Sequence, residues 1–171
     1  MVKRETMLLK RIIFLILFYL FTSCINYYHI KKNKEGETIV DENLYSFKNK
    51  MSNEDAKVID TLSLYFEVKK ELYINENIQV LKFHNDGTFE KKNIKYFNSK
   101  ESKESIYYGG RFKLEGKKIT IEKFYPSSGA KTNYYVKKIS HGKVYSDTIK
   151  LKIFDVDYIY IKKSLEAIYK I

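Results

Sequence analysis

The 171-residue chain has no tryptophan, a single cysteine, one proline and seven glycines. One cysteine excludes an internal disulfide, a CxxC redox pair and a Cys-rich zinc site. So little proline and glycine excludes collagen-like, proline-rich and low-complexity architectures. Arginine is scarce as well. Of 32 basic residues only Arg4, Arg11 and Arg111 are Arg, whereas bidentate reading of phosphates or bases favours that planar side chain. The formal net charge of +11 is therefore a diffuse lysine charge. Lys, Asn, Ile and Tyr dominate together, and all four have AT-rich codons.

Familiar catalytic and cofactor motifs are missing too. There is no HExxH, no Gly-x-Ser-x-Gly elbow, no P-loop and no dinucleotide-binding glycine fingerprint. His29, His84 and His141 show no metal-ligand spacing. Asp155-Val156-Asp157 offers two side chains, where a calcium loop needs about six to eight oxygens. Ser127-Ser128-Gly129 has no adjacent base. The expectation is a non-catalytic protein without metal or cofactor. Lys and Tyr interleave in Tyr134-Tyr135-Val136-Lys137-Lys138 and Tyr158-Ile159-Tyr160-Ile161-Lys162-Lys163. In an exported protein this pattern suits a solvated outer strand face, or contact with an anionic membrane surface or polysaccharide, and no nucleic-acid partner is expected.

What the chain does have is 44% hydrophobic, 31% charged and 16% aromatic residues, the composition of one globular domain rich in strand-forming Tyr, Ile and Phe. Its start is different. Met1 to Arg11 is net positive, and Ile12 to Phe21 is an apolar run of ten ending in Thr22-Ser23-Cys24. That order of basic, apolar and small-residue regions is a signal peptide, and the run is far short of the ~20 residues that cross a bilayer as a helix.

Leu20-Phe21-Thr22-Ser23-Cys24 resembles the lipobox of bacterial lipoproteins, with Phe21 where the motif usually has Leu. The resemblance implies cleavage between Ser23 and Cys24, a diacylglycerol thioether on Cys24 and acylation of the new amino terminus. Several acyl chains anchor stably where one does so only marginally, at ~0.8 kcal/mol per buried methylene. Loss of residues 1–23 removes four basic and one acidic side chain and leaves a charge of +8. Ile25, rather than an aspartate, follows the cysteine, which by the same resemblance favours the outer membrane facing the periplasm. The expected organisation is a signal peptide over 1–23, a lipidated cysteine with a polar tether over 24–57, in which Leu44, Tyr45 and Phe47 form a short turn or helix packed onto the domain, and a β-domain over 58–171.

From Val58 the pattern becomes short alternating stretches between turn residues, the mark of a sandwich or barrel. Eight strands are expected: 58–69, 77–84, 88–97, 106–114, 118–125, 132–140, 143–154 and 158–163. Asn85-Asp86-Gly87, Glu115-Gly116 and His141-Gly142 are expected as hairpin turns, each with a glycine where positive φ is needed. Pro126 is expected outside every strand. Alternation of Ile119 and Ile121 with Thr120 and Glu122 turns one face inward. Only Ser164 to Lys170 has helical spacing, so a short C-terminal helix closes the chain. Eight consecutive antiparallel strands with short connections close as an up-and-down barrel, which abolishes sheet edges and encloses either packed side chains or one small ligand.

Phe83-His84-Asn85-Asp86-Gly87-Thr88-Phe89, followed by Tyr108-Gly109-Gly110-Arg111-Phe112 and Ile119-Thr120-Ile121, resembles the lipocalin-like domains of small bacterial lipoproteins. The resemblance implies an all-β, lipocalin-like barrel. Two functions are expected of it. A carrier or sensor would hold a small apolar ligand lined by Tyr108, Phe112, Leu114, Ile119 and Ile121. An interaction module would be solidly packed and meet an envelope protein through its Lys/Tyr surface.

Overall fold

A computed structural model describes residues 27–68, 77–97, 103–127 and 134–163. The signal peptide, its cleavage point at Ser23, Cys24 and the expected helix over 164–170 lie outside the described residues. Among those described, eleven strands form: β1 (Tyr27–His29), β2 (Lys31–Lys32), β3 (Thr38–Ile39), β4 (Leu64–Glu67), β5 (Gln79–Phe83), β6 (Thr88–Asn93), β7 (Gly109–Glu115), β8 (Lys118–Pro126), β9 (Tyr134–Val144), β10 (Thr148–Ile153) and β11 (Val156–Lys163). Strands β4 to β11 pair each with the next, and β11 returns to β4 through Tyr160↔Glu67 and Lys163↔Leu64. The eight make a closed, antiparallel up-and-down barrel, in keeping with a lipocalin-like architecture.

Period-two alternation decides what goes inside. Tyr65, Leu81, Phe83, Phe89, Phe112, Leu114, Ile119, Ile121, Val144, Ile149, Leu151, Ile153 and Tyr160 form one buried cluster. Its aromatic members interlock edge to face: Phe83 meets Phe112 at 4.9 Å and Tyr65 at 5.6 Å between ring centroids. Such pairs add about 0.5–1.5 kcal/mol beyond their burial. One end of the barrel carries the β5–β6, β7–β8 and β9–β10 turns, and the chain before β4 closes it. There Ile59 enters the core, Met51 and Val58 pack against it, the Met51 amide donates to the Asn85 carbonyl at 3.0 Å, and the Asp60 amide donates to the Tyr65 hydroxyl at 3.0 Å.

Gly87 and Gly116 have φ of +80° and +58°, as expected of hairpin turns. The third expected turn is corrected. His141 and Gly142 lie inside β9, where Gly142 pairs with Ile119 on one side and Leu151 on the other. The turn falls at Tyr145–Asp147, and the Tyr145 amide donates to the Thr148 carbonyl at 2.7 Å. Gly142 is required by close approach, because a Cβ there would collide with the Lys150 carbonyl oxygen. Pro126 is likewise the last residue of β8, in register with Tyr135, a strand end where a missing donor is tolerated. The 58–63 part of the first expected strand is instead the closing segment, with Asp60 accepting from the Leu62 amide and the Ser63 hydroxyl.

The segment expected as a polar tether differs most. Residues 27–57 form a strap along the barrel. Strand β1 joins the N-terminal half of β9 through Tyr27↔Val136 and His29↔Tyr134, while β10 covers only the other half, 141–144. Ile30, Val40 and Tyr45 pack with Ile106, Phe124 and Tyr135 in a second buried cluster outside the barrel.

The β10–β11 hairpin turns at Phe154 and Asp155, with φ of +49° and +63°. Two consecutive positive φ values suit the twist of a two-residue hairpin, but Asn and Gly adopt them at much lower cost than Phe or Asp. Asp155→Gly is therefore expected to raise the urea midpoint, with a gain of about 0.5–1 kcal/mol. It gives up only the exposed 3.4 Å pair with Lys152, worth little at the surface.

Candidate functional site

The inward faces of the strands do not stay apolar along their length. On β8 the register Ile119, Ile121 continues to Lys123 and Tyr125; on β6 Phe89 continues to Lys91; on β11 Tyr160 is preceded by Tyr158; on β4 Tyr65 is followed by Glu67. Strands β4, β6 and β8 run one way along the barrel axis and β11 the other, so the polar members fall together at the end opposite the turns at Gly87, Gly116 and Tyr145–Asp147. That is the end at which β4, β6 and β8 finish and β11 begins.

Lys123 is 6% exposed. Its ammonium donates to the carbonyls of Tyr107 at 2.9 Å, Gly109 at 3.1 Å and Ile106 at 3.2 Å, so all three of its protons are used. Among the described residues no carboxylate lies within ion-pairing distance of it. Burial, with help from the neighbouring Lys91 charge, pulls its amine down to about 7. Lys91 is lowered in the same direction by burial, with Glu67 opposing. Its ammonium sits 4.8 Å from the centroid of the Tyr158 ring, a cation–π contact. Burial pushes the Tyr125 phenol up to about 12, with the Tyr158 hydroxyl adding to it.

Tyr160 completes the layer. It is fully buried, and its hydroxyl is the one buried side-chain polar atom among the described residues without a hydrogen-bond partner. Burial raises its phenol strongly, followed by the charges of Glu67, Tyr158 and Tyr125, so the hydroxyl faces the polar layer. Leaving such a group unsatisfied costs about 1–3 kcal/mol. Phe154 stands at the rim, its ring edge-on to Tyr125 at 4.8 Å. Its unfavourable φ beside this layer fits the tendency of strained residues to gather at functional sites.

A lysine lowered to about 7 has a stability signature. The unfolded chain, with an ordinary amine near 10.5, holds a proton that the folded chain has released between pH 7 and 10.5. Stability therefore rises with pH across that window, by up to about 1.4 kcal/mol per unit. Below pH 7 both states are protonated and the contribution is flat. Urea unfolding between pH 7.5 and 9.5 is expected to show this rise in the native protein and a flatter profile in Lys123→Met.

Of the apolar lining expected from the sequence, Phe112, Leu114, Ile119 and Ile121 belong to the buried cluster inside the barrel. Tyr108 is outside the barrel, its ring 5.4 Å from the Lys92 ammonium. Phe112 and Leu114 also border a groove of about 640 Å3 between the strap and β7, with Lys48, Lys50 and Lys113 on its walls. His84 pairs with Glu90 at 2.8 Å, and His141 meets the Thr120 hydroxyl at 3.2 Å. Among the described residues no group of His, Cys, Asp and Glu is arranged to hold a metal. No described helix is long and apolar enough to cross a membrane. The signal for Lys91, Lys123, Tyr125 and Tyr158 was available in the same period-two alternation that marked the core. It was passed over because inward lysines read as breaks in the pattern.

The chain matches no protein-family model, no curated protein and no solved structure in the comparisons made. The fold and the site therefore rest on the residues themselves.

Proposed function

We propose that this protein is a non-catalytic binding barrel, held to the bacterial cell envelope by lipid on Cys24, that takes a small ligand at the polar end of its interior. The observation that carries the binding reading is the Tyr160 hydroxyl, buried without a partner and facing a layer of interior lysines and phenols. A barrel serving only as a packed scaffold gains nothing from that group, and natural cores retain such atoms where they serve a ligand or an ordered water. The ligand's apolar body, as expected for a small hydrophobic molecule, would meet Tyr125, Phe154 and Tyr158 at the rim, beyond the buried aromatic and aliphatic cluster. The lipid anchor rests on the lipobox-like Leu20 to Cys24 alone, and the outer-membrane location on Ile25 after it.

Two measurements test this. Native mass spectrometry of the protein from bacterial membranes, before and after organic extraction, is expected to show an extra noncovalent mass that extraction removes; a clean apo mass in both samples counts against a carrier. Cys24→Ala is expected to abolish fatty-acid incorporation and release the protein from the membrane fraction. Continued membrane attachment would mean that the leader itself is the anchor.

The second reading, an envelope interaction module, is favoured by the groove between the strap and β7 with its three lysines. An acidic partner would fit it, and capture of an envelope protein that Lys48→Glu with Lys113→Glu abolishes is the result expected on that reading.

A further inference from the structure

We propose that the polar end of the barrel interior binds one small monoanion, whose oxyanion head, a carboxylate or a singly charged phosphate, is held by Lys91 and Tyr160. The inference rests on the binding-barrel reading and names its ligand class.

Donors decide it. Lys123 has no proton to offer, because three backbone carbonyls take all of them. Lys91 differs. Its ammonium makes no hydrogen bond or ion pair among the described residues and lies against the face of Tyr158. The Tyr160 hydroxyl is the second unspent donor. Tyr158 and Tyr160 stack at 6.4 Å between centroids with 22° between planes, so the ring against the Lys91 ammonium is also the neighbour of the Tyr160 ring. An acceptor brought between them satisfies both at once, and a donor hydrogen-bonded to a charged acceptor gains about twice what a neutral pair does.

Charge sets the valence. The groups facing this layer are Lys123, whose amine is lowered by burial and by the Lys91 charge, Lys91, lowered by burial, and Glu67 on β4, which stabilises the Lys91 charge from beyond ion-pairing distance. Lys138, opposite Lys123 in the register, is exposed at the rim. Among the described residues the interior thus holds two lysine cations, Lys123 buried and Lys91 half-buried, against one carboxylate. A single negative charge restores neutrality, whereas a neutral ligand leaves Lys91 uncompensated in a medium where buried charge is costly. The rings of Tyr125, Phe154 and Tyr158 offer a flat, apolar body its place above the head.

The test uses the full-length protein in neutral detergent at pH 6, where Lys123 is protonated and inorganic phosphate is mainly monoanionic. Benzoate, inorganic phosphate and benzyl alcohol, the neutral counterpart of benzoate, are titrated by calorimetry. Benzoate is expected to bind at least tenfold more tightly than benzyl alcohol. Phosphate binding as well would show that the head suffices, and benzoate alone that the rings contribute; both support the proposal. Lys91→Met is expected to weaken benzoate about tenfold. Tyr160→Phe is expected to weaken it about fivefold while raising the melting temperature of the unliganded protein, a pairing that a merely structural tyrosine would not produce. Benzyl alcohol binding as tightly as benzoate would overturn the anion class and leave the binding barrel standing. No binding of any of the three probes, together with a clean apo mass from membranes, would overturn both.

Discussion

Glu122→Ala is expected to destabilise the protein by about 3–5 kcal/mol, the range seen when one partner of a buried ion pair is removed. Glu122 is fully buried on the outward face of β8, beneath the strap. Its carboxylate accepts the Ser46 amide at 2.8 Å and the Phe47 amide at 3.2 Å, and pairs with Lys137 of β9 at 2.9 Å. Lys137 reaches back to the strap as well, donating to the Leu44 carbonyl at 3.1 Å and the Ser46 hydroxyl at 2.9 Å. Removing the carboxylate orphans two amides and leaves the lysine facing an apolar neighbourhood, where a lost partner costs more than the bond itself contributed. Urea unfolding measures the loss. Amide exchange locates it: Ser46 and Phe47 should lose protection out of proportion to the barrel strands. A double replacement, Glu122→Leu with Lys137→Met, removes both charges together and is expected to recover part of the loss. If the single variant cost less than about 1 kcal/mol, the strap would not be held by this clamp.

That clamp shows where sequence reading stops. The barrel was legible because its determinants are local: Ile119 and Ile121 alternate with polar neighbours, and Gly87 and Gly116 sit where the chain must turn. Closure follows from the count of strands, since eight neighbours in a row bring the last beside the first. The strap was legible only at Leu44 and Tyr45, which were expected to pack on the domain. Ile30 and Val40 stand in a polar stretch, and their partners Phe124 and Tyr135 lie more than eighty residues away. Alternation assigned Glu122 correctly to the outward face, but outward means exposed only if nothing lies on top. His141-Gly142 failed for a related reason. A glycine between alternating stretches reads as a turn, while here it makes room for the Lys150 backbone of a neighbouring strand. The polar layer was half legible, because period two puts Lys123 in line with Ile121, yet which strands bring Lys91 and Tyr160 beside it is a matter of closure.

Gly87→Val is expected to cost about 3 kcal/mol or more, and comparison with Gly116→Val separates its two causes. Both glycines have positive φ, +80° and +58°, a region that β-branched residues resist at roughly 1–2 kcal/mol. Around Gly116 a new Cβ meets nothing within 4 Å, whereas at Gly87 it would collide with the carbonyl oxygen of Asn49 in the strap. Gly116→Val therefore measures backbone conformation alone, and the excess at Gly87 measures the strap's close approach to the β5–β6 turn. The Gly87 backbone is engaged as well: its amide donates to the His84 carbonyl at 3.1 Å and its carbonyl accepts the Phe112 amide at 3.0 Å, so the turn cannot swing away without loosening β7. If the strap is what the valine strikes, the excess should shrink in the Glu122→Ala background, where residues 44–47 are already released. Coupling of that kind between substitutions on different elements is what a double-mutant cycle reads. Strict additivity would mean instead that the stretch around Asn49 is fixed independently of the clamp, by the Met51 amide on the Asn85 carbonyl.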